Sequence, residues 1–410
     1  MSVCPMRRFT KRRYPGLNLN GNTVIMNDIC DLNVLYEAFT KSLRSSAWKE
    51  EPQRFEMDFL SEISALKQEL ESRNYKTSKG TEFILNERGK RRHIHGKRMR
   101  DRVVRRALCD EILTLAAYPY LVYSNGASQK NKGTHFTRRL FERDLHNYYL
   151  KHGNNQGYVG FVDFSSYYDN IEHERVKAMY KDIIPEFAQW LLSEVLSTFE
   201  IDISYLSEEE AKEYINKKFK SLDYYEKIPK ECKIRARMMA KSVDIGDHIS
   251  QNIGTFFATP IDNYVKIVRG KKEYARHTDD MYIIGETREE VQSIIDGIKV
   301  KARENGLFVN EKKTYIAKLS DRYKYLQIRY SLTETGRVIK RISPQFMRRF
   351  RVSLKKFKRL MDAGRMNYED IKQSYKTRMG GFYKYMSKRQ IKNIRNLYKT
   401  LFKEDPRWKK

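Results

Sequence analysis

Residues 274–285 read YARHTDDMYIIG and set two adjacent acids between two apolar arms. Aromatic and β-branched residues fill the arms, so the stretch predicts a β-hairpin with Thr278, Asp279 and Asp280 at its tip. Adjacent carboxylates repel each other unless a cation compensates their charge, and a divalent metal is the expected compensation. Two acids in a turn are also ordinary turn chemistry, so the hairpin alone leaves both interpretations open.

A third acid, Asp163, lies near the end of a second apolar stretch. Residues 158–164 read YVGFVDF, which is typical of a central strand buried on both faces, with Asp163 emerging at its end. If this strand lies beside the hairpin, Asp163 and Asp279 share two Mg²⁺ ions, or Mn²⁺ in their place, because such ions prefer oxygen ligands. Such a metal pair activates an attacking hydroxyl and stabilises the leaving oxygen in phosphoryl transfer.

The composition is strongly basic, with a formal net charge of +29 over 410 residues. This length allows two or three subdomains around real cores, and the charge predicts a polyanionic partner. Aromatic residues are interleaved with the basic ones, which favours nucleic acid, since aromatic rings stack on bases. A membrane surface is the weaker alternative, because no apolar run approaches the roughly 20 residues of a spanning helix.

The cysteines and the N-terminus indicate a cytoplasmic protein. Cys4, Cys30, Cys109 and Cys232 are scattered without metal-ligand spacing, so reduced thiols are expected. The N-terminus is basic but has no apolar run behind its cations, so we expect no secretory signal.

A dense run of cations occupies residues 83–106. Phe83, Ile84 and Leu85 predict a short strand, residues 86–89 a turn, and Lys90 and Arg92 are among the first of the cations that follow. Most of such a run is normally a solvated face. Its position beside a strand and turn nevertheless favours two or three of these cations holding a triphosphate, where the forked geometry of Arg is useful.

The remaining pattern predicts an α+β fold. Asp169 or Asn170 is expected to cap a helix after the Asp163 strand, and residues 201–239 predict an inserted group of helices. A helix ending at Gly306 follows the hairpin, and residues 307–314 predict a returning strand. This order of strand, helix, hairpin, helix and strand is typical of a small antiparallel sheet with helices on one face. Basic helices, from Pro344 onward, follow it.

Several of these segments also match motifs in a known order. They are a basic strand and turn around Arg92, then 161–171 (FVDFSSYYDNI), 246–251 (GDHISQ), 276–280 (RHTDD), 306–314 (GLFVNEKKT) and 325–327 (YLQ). In this order they resemble the motifs of reverse transcriptases, particularly the prokaryotic group that includes group II intron, diversity-generating and defence-associated enzymes. Two residues depart from the pattern, because His277 stands where Tyr is usual and Gln327 where Gly is common.

The resemblance implies a right-hand polymerase with fingers, a palm built on a small antiparallel sheet with helices, and a helical thumb. On this basis residues 1–82 form an N-terminal helical region and residues 83–157 the fingers. Residues 158–330 form the palm, with a helical insertion at about 200–240, and residues 331–410 a basic helical thumb or C-terminal region.

The resemblance also implies roles for individual residues. Asp163 and Asp279 bind the metal ions with support from Asp280, and the backbone carbonyl of Phe164 completes one coordination shell. Lys313 is expected to act as the general acid that protonates departing pyrophosphate. Phe164 is also expected to bind the nucleotide. The other nucleotide-binding residues are Lys90 and Arg92 on the triphosphate, Tyr168 excluding a ribose 2′-OH by its bulk, and Gln251 lining the nucleotide and template pocket.

The implied function is RNA-directed DNA polymerase, which takes an RNA template and dNTPs and makes a DNA product. No added nuclease motif follows the expected thumb, which argues against a mobile group II intron protein. The Ser250-Gln251 form, the long region between residues 171 and 276 and the basic C-terminus resemble a stand-alone antiphage defence enzyme working with a structured noncoding RNA. A diversity-generating reverse transcriptase is the alternative, and a catalytically weak RNA-binding protein is a third. The sequence leaves open whether the chain forms a homo-oligomer.

Overall fold

The computed structural model describes residues 13–17, 23–44, 46–87, 90–220 and 225–405, with the backbone alone at 13–17, 23–27, 87 and 90–93. These residues form a mixed fold of helices and antiparallel sheets, which confirms the predicted α+β class. The helices are α1 (Leu32–Leu43), α2 (Glu50–Met57), α3 (Phe59–Glu71), α4 (Met99–Leu108), α5 (Thr114–Ala117), α6 (Thr134–His152), α7 (His173–Tyr180), α8 (Glu186–Ser197), α9 (Glu208–Phe219), α10 (His248–Phe257), α11 (Thr259–Asn263), α12 (Arg288–Glu304), α13 (Pro344–Asp362), α14 (Tyr368–Phe382) and α15 (Lys388–Phe402). The strands are β1 (Arg13–Leu17), β2 (Thr23–Asn27), β3 (Thr81–Glu87), β4 (Lys90–Gly96), β5 (Tyr158–Val162), β6 (Ile201–Asp202), β7 (Lys233–Arg235), β8 (Met238–Met239), β9 (Tyr274–His277), β10 (Asp280–Gly285), β11 (Tyr315–Lys318), β12 (Tyr323–Tyr325), β13 (Ile328–Leu332) and β14 (Val338–Ile342).

A four-stranded antiparallel sheet in the order β11-β5-β10-β9 lies at the centre. The predicted strand and the predicted hairpin are therefore neighbours, with Val162 paired to Met281 across β5 and β10. The hairpin closes at the pair of His277 and Asp280. The end of β5, which leads to Asp163, and the start of β10, which holds Asp280, therefore lie next to each other at the same end of the sheet.

Helices cover both faces of this sheet, not one face as the pattern predicted. On one face α12 packs so closely on β5 that a Cβ on Gly160 would lie 2.6 Å from Val291 Cγ1. On the other face Phe141 of α6 packs edge-on against Phe161 and Tyr282. The reason is that β5 is apolar on both sides, so each side needs its own cover.

The C-terminal part, from β12 onward, packs on the face of the central sheet that α6 covers. A three-stranded antiparallel sheet, β12-β13-β14, leads into α13, which begins at the cap Ser343. Leu354 of α13, Tyr375 of α14 and Tyr398 of α15 are buried in the same core as Phe141. The expected basic helices after residue 344 are therefore packed against the central sheet through a shared hydrophobic core.

The structure differs from the sequence pattern in the regions on either side of the sheet. Residues 201–239 hold a three-stranded sheet, β6-β8-β7, as well as α9. The sequence did not predict these strands, because strands of two or three residues are too short to show a period. The region before residue 82 likewise contains the β1–β2 hairpin besides its helices. The C-terminal region after residue 331 contains β14 as well as helices.

Two local predictions near the acids are also corrected. Residues 307–314 form a single bridge, between Val309 and Phe164, and then a turn, because the Asn310 carbonyl accepts the N–H of Thr314. Neither Asp169 nor Asn170 caps α7, which begins after Glu172. The Asn170 side chain instead donates to the backbone carbonyl of Ser165, 3.1 Å away, and so holds the loop after β5.

No helix within the described residues is long and apolar enough to cross a membrane.

Candidate active site

The tip of the β9–β10 hairpin is a strained two-residue loop. Thr278 and Asp279 connect the strands, and Thr278 has a φ of 59°, in the left-handed region. A β-branched residue adopts this conformation only at a cost of about 1–3 kcal/mol, unless surrounding contacts hold it there.

Arg276 supplies those contacts from the strand below. Its side chain is fully buried and donates from Nη1 to the Thr278 carbonyl, 3.0 Å away. Nη2 donates to the Thr255 carbonyl at 2.9 Å, and Nε and Nη2 form a bidentate pair with Asp262 at 2.9 and 2.6 Å. Burial would lower the pKa of Arg276, but the charge of Asp262 raises that pKa above its ordinary value. Tyr274 completes the group by donating its hydroxyl to Asp262.

Asp163 lies at the end of β5, on the strand next to the hairpin. Its backbone carbonyl accepts the N–H of Asn310 at 2.8 Å. Its two carboxylate oxygens bind Lys313 Nζ at 2.7 and 2.8 Å. The carboxylate is nearly buried, so water screens its negative charge poorly and the Lys313 ammonium balances that charge.

The acids and Lys313 lie close enough to shift one another's pKa values. The pKa of Asp280 rises to about 7 because of burial first, then the charges of Asp279 and Asp163, with Lys313 and Lys324 opposing the shift. Burial would lower the pKa of Lys313, but its bond to Asp163 and the charges of the other two acids raise it. The structure therefore brings Asp163, Asp279, Asp280 and Lys313 together, although Lys313 is 150 residues from Asp163.

The donor set can be compared with what a magnesium ion requires. Within the described chain, no group of three or more His, Cys, Asp or Glu side chains is arranged to hold a metal ion. Both oxygens of Asp163 are hydrogen-bonded to Lys313. The chemistry of the donors nevertheless fits, because carboxylates and peptide carbonyls are the hard oxygen ligands that Mg²⁺ prefers. Phe164 and Val309 form an antiparallel bridge, and the hydrogen bonds on either side of it are made by their neighbours, so the Phe164 carbonyl points away from Val309.

Tyr168 lies on the side of the acids that faces α10. Its ring is half-buried, and burial followed by the charge of Asp279 raises its pKa to about 12. A Cβ on Gly254 would lie 2.9 Å from Tyr168 Cε1, so only glycine lets the ring take this position. Gln251 is exposed on the first part of α10. The side chains of Lys90 and Arg92 lie outside the described residues, and only the backbone pairing of β3 with β4 is seen there.

His277 lines the cleft beside Asp280 and is held by three contacts. Nδ1 lies 3.2 Å from the Gly126 carbonyl and 3.4 Å from Thr137 Oγ1, and Nε2 lies 3.3 Å from Thr134 Oγ1. Burial lowers the pKa of His277 below its ordinary value. The imidazole is therefore held by hydrogen bonds at the start of α6.

Sequence reasoning missed the partnership of Arg276 with Asp262. A signal was present, since an arginine inside an apolar strand arm needs a buried acid as partner. No local pattern indicates which acid that is. The contact with Thr278 makes this pair the structural support of the turn that carries Asp279.

The fold and the site define a class of protein. Acids at the ends of adjacent antiparallel strands, a lysine bound to one of them and a strongly basic chain are the features of an enzyme that transfers nucleotidyl groups on a nucleic acid. The family model described as reverse transcriptase (RNA-dependent DNA polymerase) matches residues 78–330, and the chain belongs to this family. It is a nucleotidyltransferase, an RNA-directed DNA polymerase, whose substrates are dNTPs and an RNA template. A comparison with curated proteins finds no match.

Proposed function

We propose that Asp163, Asp279 and Asp280, together with the Phe164 carbonyl, form the catalytic centre of this polymerase. The observation that carries the proposal is the placement of the acids at the ends of two paired strands, Asp163 directly after β5 and Asp280 at the start of β10. Burial first, and then the charges of Asp279 and Asp163, raises the pKa of Asp280 to about 7. Acids held together in this way favour the binding of a divalent cation. Magnesium ions bound there supply the positive charge that activates the primer hydroxyl and stabilises the leaving oxygen.

Lys313 is proposed as the general acid. Its raised pKa keeps Nζ protonated at neutral pH, and the side chain is half-exposed at the cleft, where departing pyrophosphate needs a proton. In the structure its ammonium neutralises Asp163. The same side chain thus holds the carboxylate in place and keeps a proton ready at Nζ.

Nucleotide selection is proposed to depend on residues around the acids. Tyr168, fixed against Gly254 and close to Asp279, is in a position to exclude a ribose 2′-OH by its bulk. Gln251, exposed on α10, would contact the nucleotide and template. Lys90 and Arg92 would hold the triphosphate from the β3–β4 hairpin.

The proposed subdomains follow from the same arrangement. The β3–β4 hairpin belongs to the fingers, the central sheet to the palm, and α13 to α15 to the thumb. The buried side of α13 packs into the core, while its opposite side is basic. The exposed cations on that side are Arg348, Arg349, Arg351, Lys355, Lys356 and Arg359. Such a surface neutralises backbone phosphates, so its binding to an RNA–DNA duplex should weaken steeply with salt.

Primer extension tests the catalytic assignment. Wild type is expected to incorporate dNTPs on a primed RNA template with Mg²⁺, and the Asp279→Ala, Asp280→Ala variant to lose incorporation. The matched control is Glu208→Ala, Glu209→Ala, which removes two exposed acids on α9. Removing two mutually repelling acids should not lower the thermal unfolding midpoint. Equal incorporation by wild type and the double aspartate variant would refute the assignment, and RNA binding without any incorporation would favour the non-catalytic alternative.

We further propose that the enzyme acts in antiphage defence with a structured noncoding RNA. Three features support this role because they resemble those of stand-alone defence enzymes. They are residues 246–251, the long segment between the motifs at 161–171 and 276–280, and the basic C-terminal region. Phage plating on cells with the wild type or the Asp279→Ala, Asp280→Ala variant tests this role, together with sequencing of copurified nucleic acid. Unchanged plating, with cDNA that matches a template repeat paired to a variable repeat, would favour the diversity-generating alternative.

A further inference from the structure

A basic pocket lies behind the strand end that carries Asp163. Its cations come from three separate parts of the chain: Lys220 follows α9, Lys299 and Arg303 project from α12, and Lys312 lies in the turn before β11. Ser165 and Asn310 form part of its wall. No role for this pocket follows from the catalytic residues described above.

The four cations of the basic pocket outnumber the acids that act on them, and Asp169 lies within electrostatic range of Lys220. Glu311 is the acid in its lining, and it lies 3.2 Å from Lys299, which also contacts Asp296 at 3.5 Å. Among the described residues, Lys220, Arg303 and Lys312 form no ion pair. Like charges gathered at one concave surface attract a counter-anion, because the low-dielectric wall focuses their field.

The basic pocket shares a wall with the cleft that is lined by Asp163, His277, Asp280 and Lys313. Lys312 lines both cavities, and its neighbour Lys313 binds the Asp163 carboxylate. The Asn310 N–H donates to the Asp163 carbonyl, and the Ser165 N–H to the Phe308 carbonyl. An anion that leaves the acids past Lys313 therefore has Lys312 and the basic pocket beside it.

We propose that the basic pocket binds a polyphosphate group, either the pyrophosphate released in each cycle or the triphosphate tail of an arriving dNTP. This inference rests on the proposed catalytic centre. In nucleotidyl transfer the primer 3′-oxygen forms a bond to the α-phosphorus, the bond from that phosphorus to its bridging oxygen breaks, and pyrophosphate leaves. Pyrophosphate carries several negative charges on closely spaced oxygens, which suits the fork of Arg303 and the point charges of the three lysines.

The test uses the Arg303→Gln, Lys312→Gln variant. Its matched control is Arg288→Gln, Lys301→Gln, which removes the same charge from α12 outside the basic pocket. Two readouts are measured in primer extension: inhibition by added inorganic pyrophosphate, and KM for dNTP. We expect the pocket variant to need about tenfold more pyrophosphate for inhibition, or about tenfold more dNTP, with the control unchanged. The first result assigns the pocket to pyrophosphate and the second to the triphosphate tail.

Two outcomes would overturn the proposal. One is a pocket variant that matches its control in both readouts. The other is a selective loss of primer–template affinity with both readouts unchanged, which would assign the cations to a nucleic-acid strand.

A binding measurement separates this inference from the catalytic assignment. Equilibrium dialysis of pyrophosphate without divalent metal, on the Asp279→Ala, Asp280→Ala background, should show binding that is lost when Arg303→Gln and Lys312→Gln are added. Absence of binding on that background counts against the basic pocket alone, whereas absence of incorporation by the wild type counts against the catalytic centre alone.

Discussion

Replacing Arg276 should separate the stability of the protein from its polymerase activity, because Arg276 holds the turn formed by Thr278 and Asp279. Arg276→Met leaves the Asp262 carboxylate fully buried with Tyr274 as its remaining donor. Removing one member of a buried pair costs about 3–5 kcal/mol, because the other charge stays uncompensated. The thermal unfolding midpoint of this variant should therefore fall.

A fully apolar replacement should recover the stability without the activity. The triple variant Arg276→Met, Asp262→Leu, Tyr274→Phe removes the buried charges and the hydroxyl together, so most of the lost stability should return. The Thr278 carbonyl still lacks its donor, and the left-handed strain of about 1–3 kcal/mol at Thr278 then drives the turn to relax. A shift of about 1 Å in the adjacent acids costs on the order of 100-fold in rate.

The assay is single-turnover dNTP incorporation alongside thermal unfolding for each variant. Arg143→Met is the control, because half-exposed Arg143 pairs with buried Asp144, which also accepts the hydroxyl of Tyr282, and Arg143 has no hydrogen bond to the turn among the described contacts. The control should lose some stability and keep its rate. A triple variant that regains its rate along with its stability would show that Arg276 is a stability element only, and would refute the positioning role.

Three further predictions concern single residues. Lys313→Gln should lower the single-turnover rate by about 100- to 10,000-fold with little change in KM for dNTP, and an unchanged rate would exclude Lys313 as proton donor. Gly254→Ala should displace the Tyr168 ring, since the new Cβ lies 2.9 Å from Cε1, and change the ratio of dNTP to rNTP incorporation by about tenfold; an unchanged ratio contradicts this. Buried His173 has a pKa of about 4 against its ordinary 6.5, so the unfolded chain binds its proton more readily and stability is lost as pH falls from 6.5 to 4. Wild type should lose about 3 kcal/mol more than His173→Gln over this range in denaturant unfolding, and equal losses would rule out His173.

The sequence alone was enough to predict the elements that carry the acids. The aromatic and β-branched arms around Asp279 predicted the hairpin, and the apolar run before Asp163 predicted a strand buried on both faces. Ser207 and Glu210, three residues apart, form a capping box at the start of α9, a spacing that is visible in the sequence. These features depend on residues close together in the chain, so their pattern can be read without the fold.

Other features were decided by the tertiary structure. The binding of Lys313 to Asp163 joins residues far apart in sequence, as does the pairing of Arg276 with Asp262. The cover of α6 on the second face of the sheet was missed for the same reason.

One physical cause explains why the local elements could be predicted from the sequence and the contacts between them could not. A period of apolar residues reports which side of an element is buried, but not which element buries it. Charge compensation inside the protein is settled by distances between elements, since a buried carboxylate is stable only beside the cation that packing brings to it. The sequence therefore determined which strands and turns hold the acids, and the packing of the sheet determined which cation each acid meets.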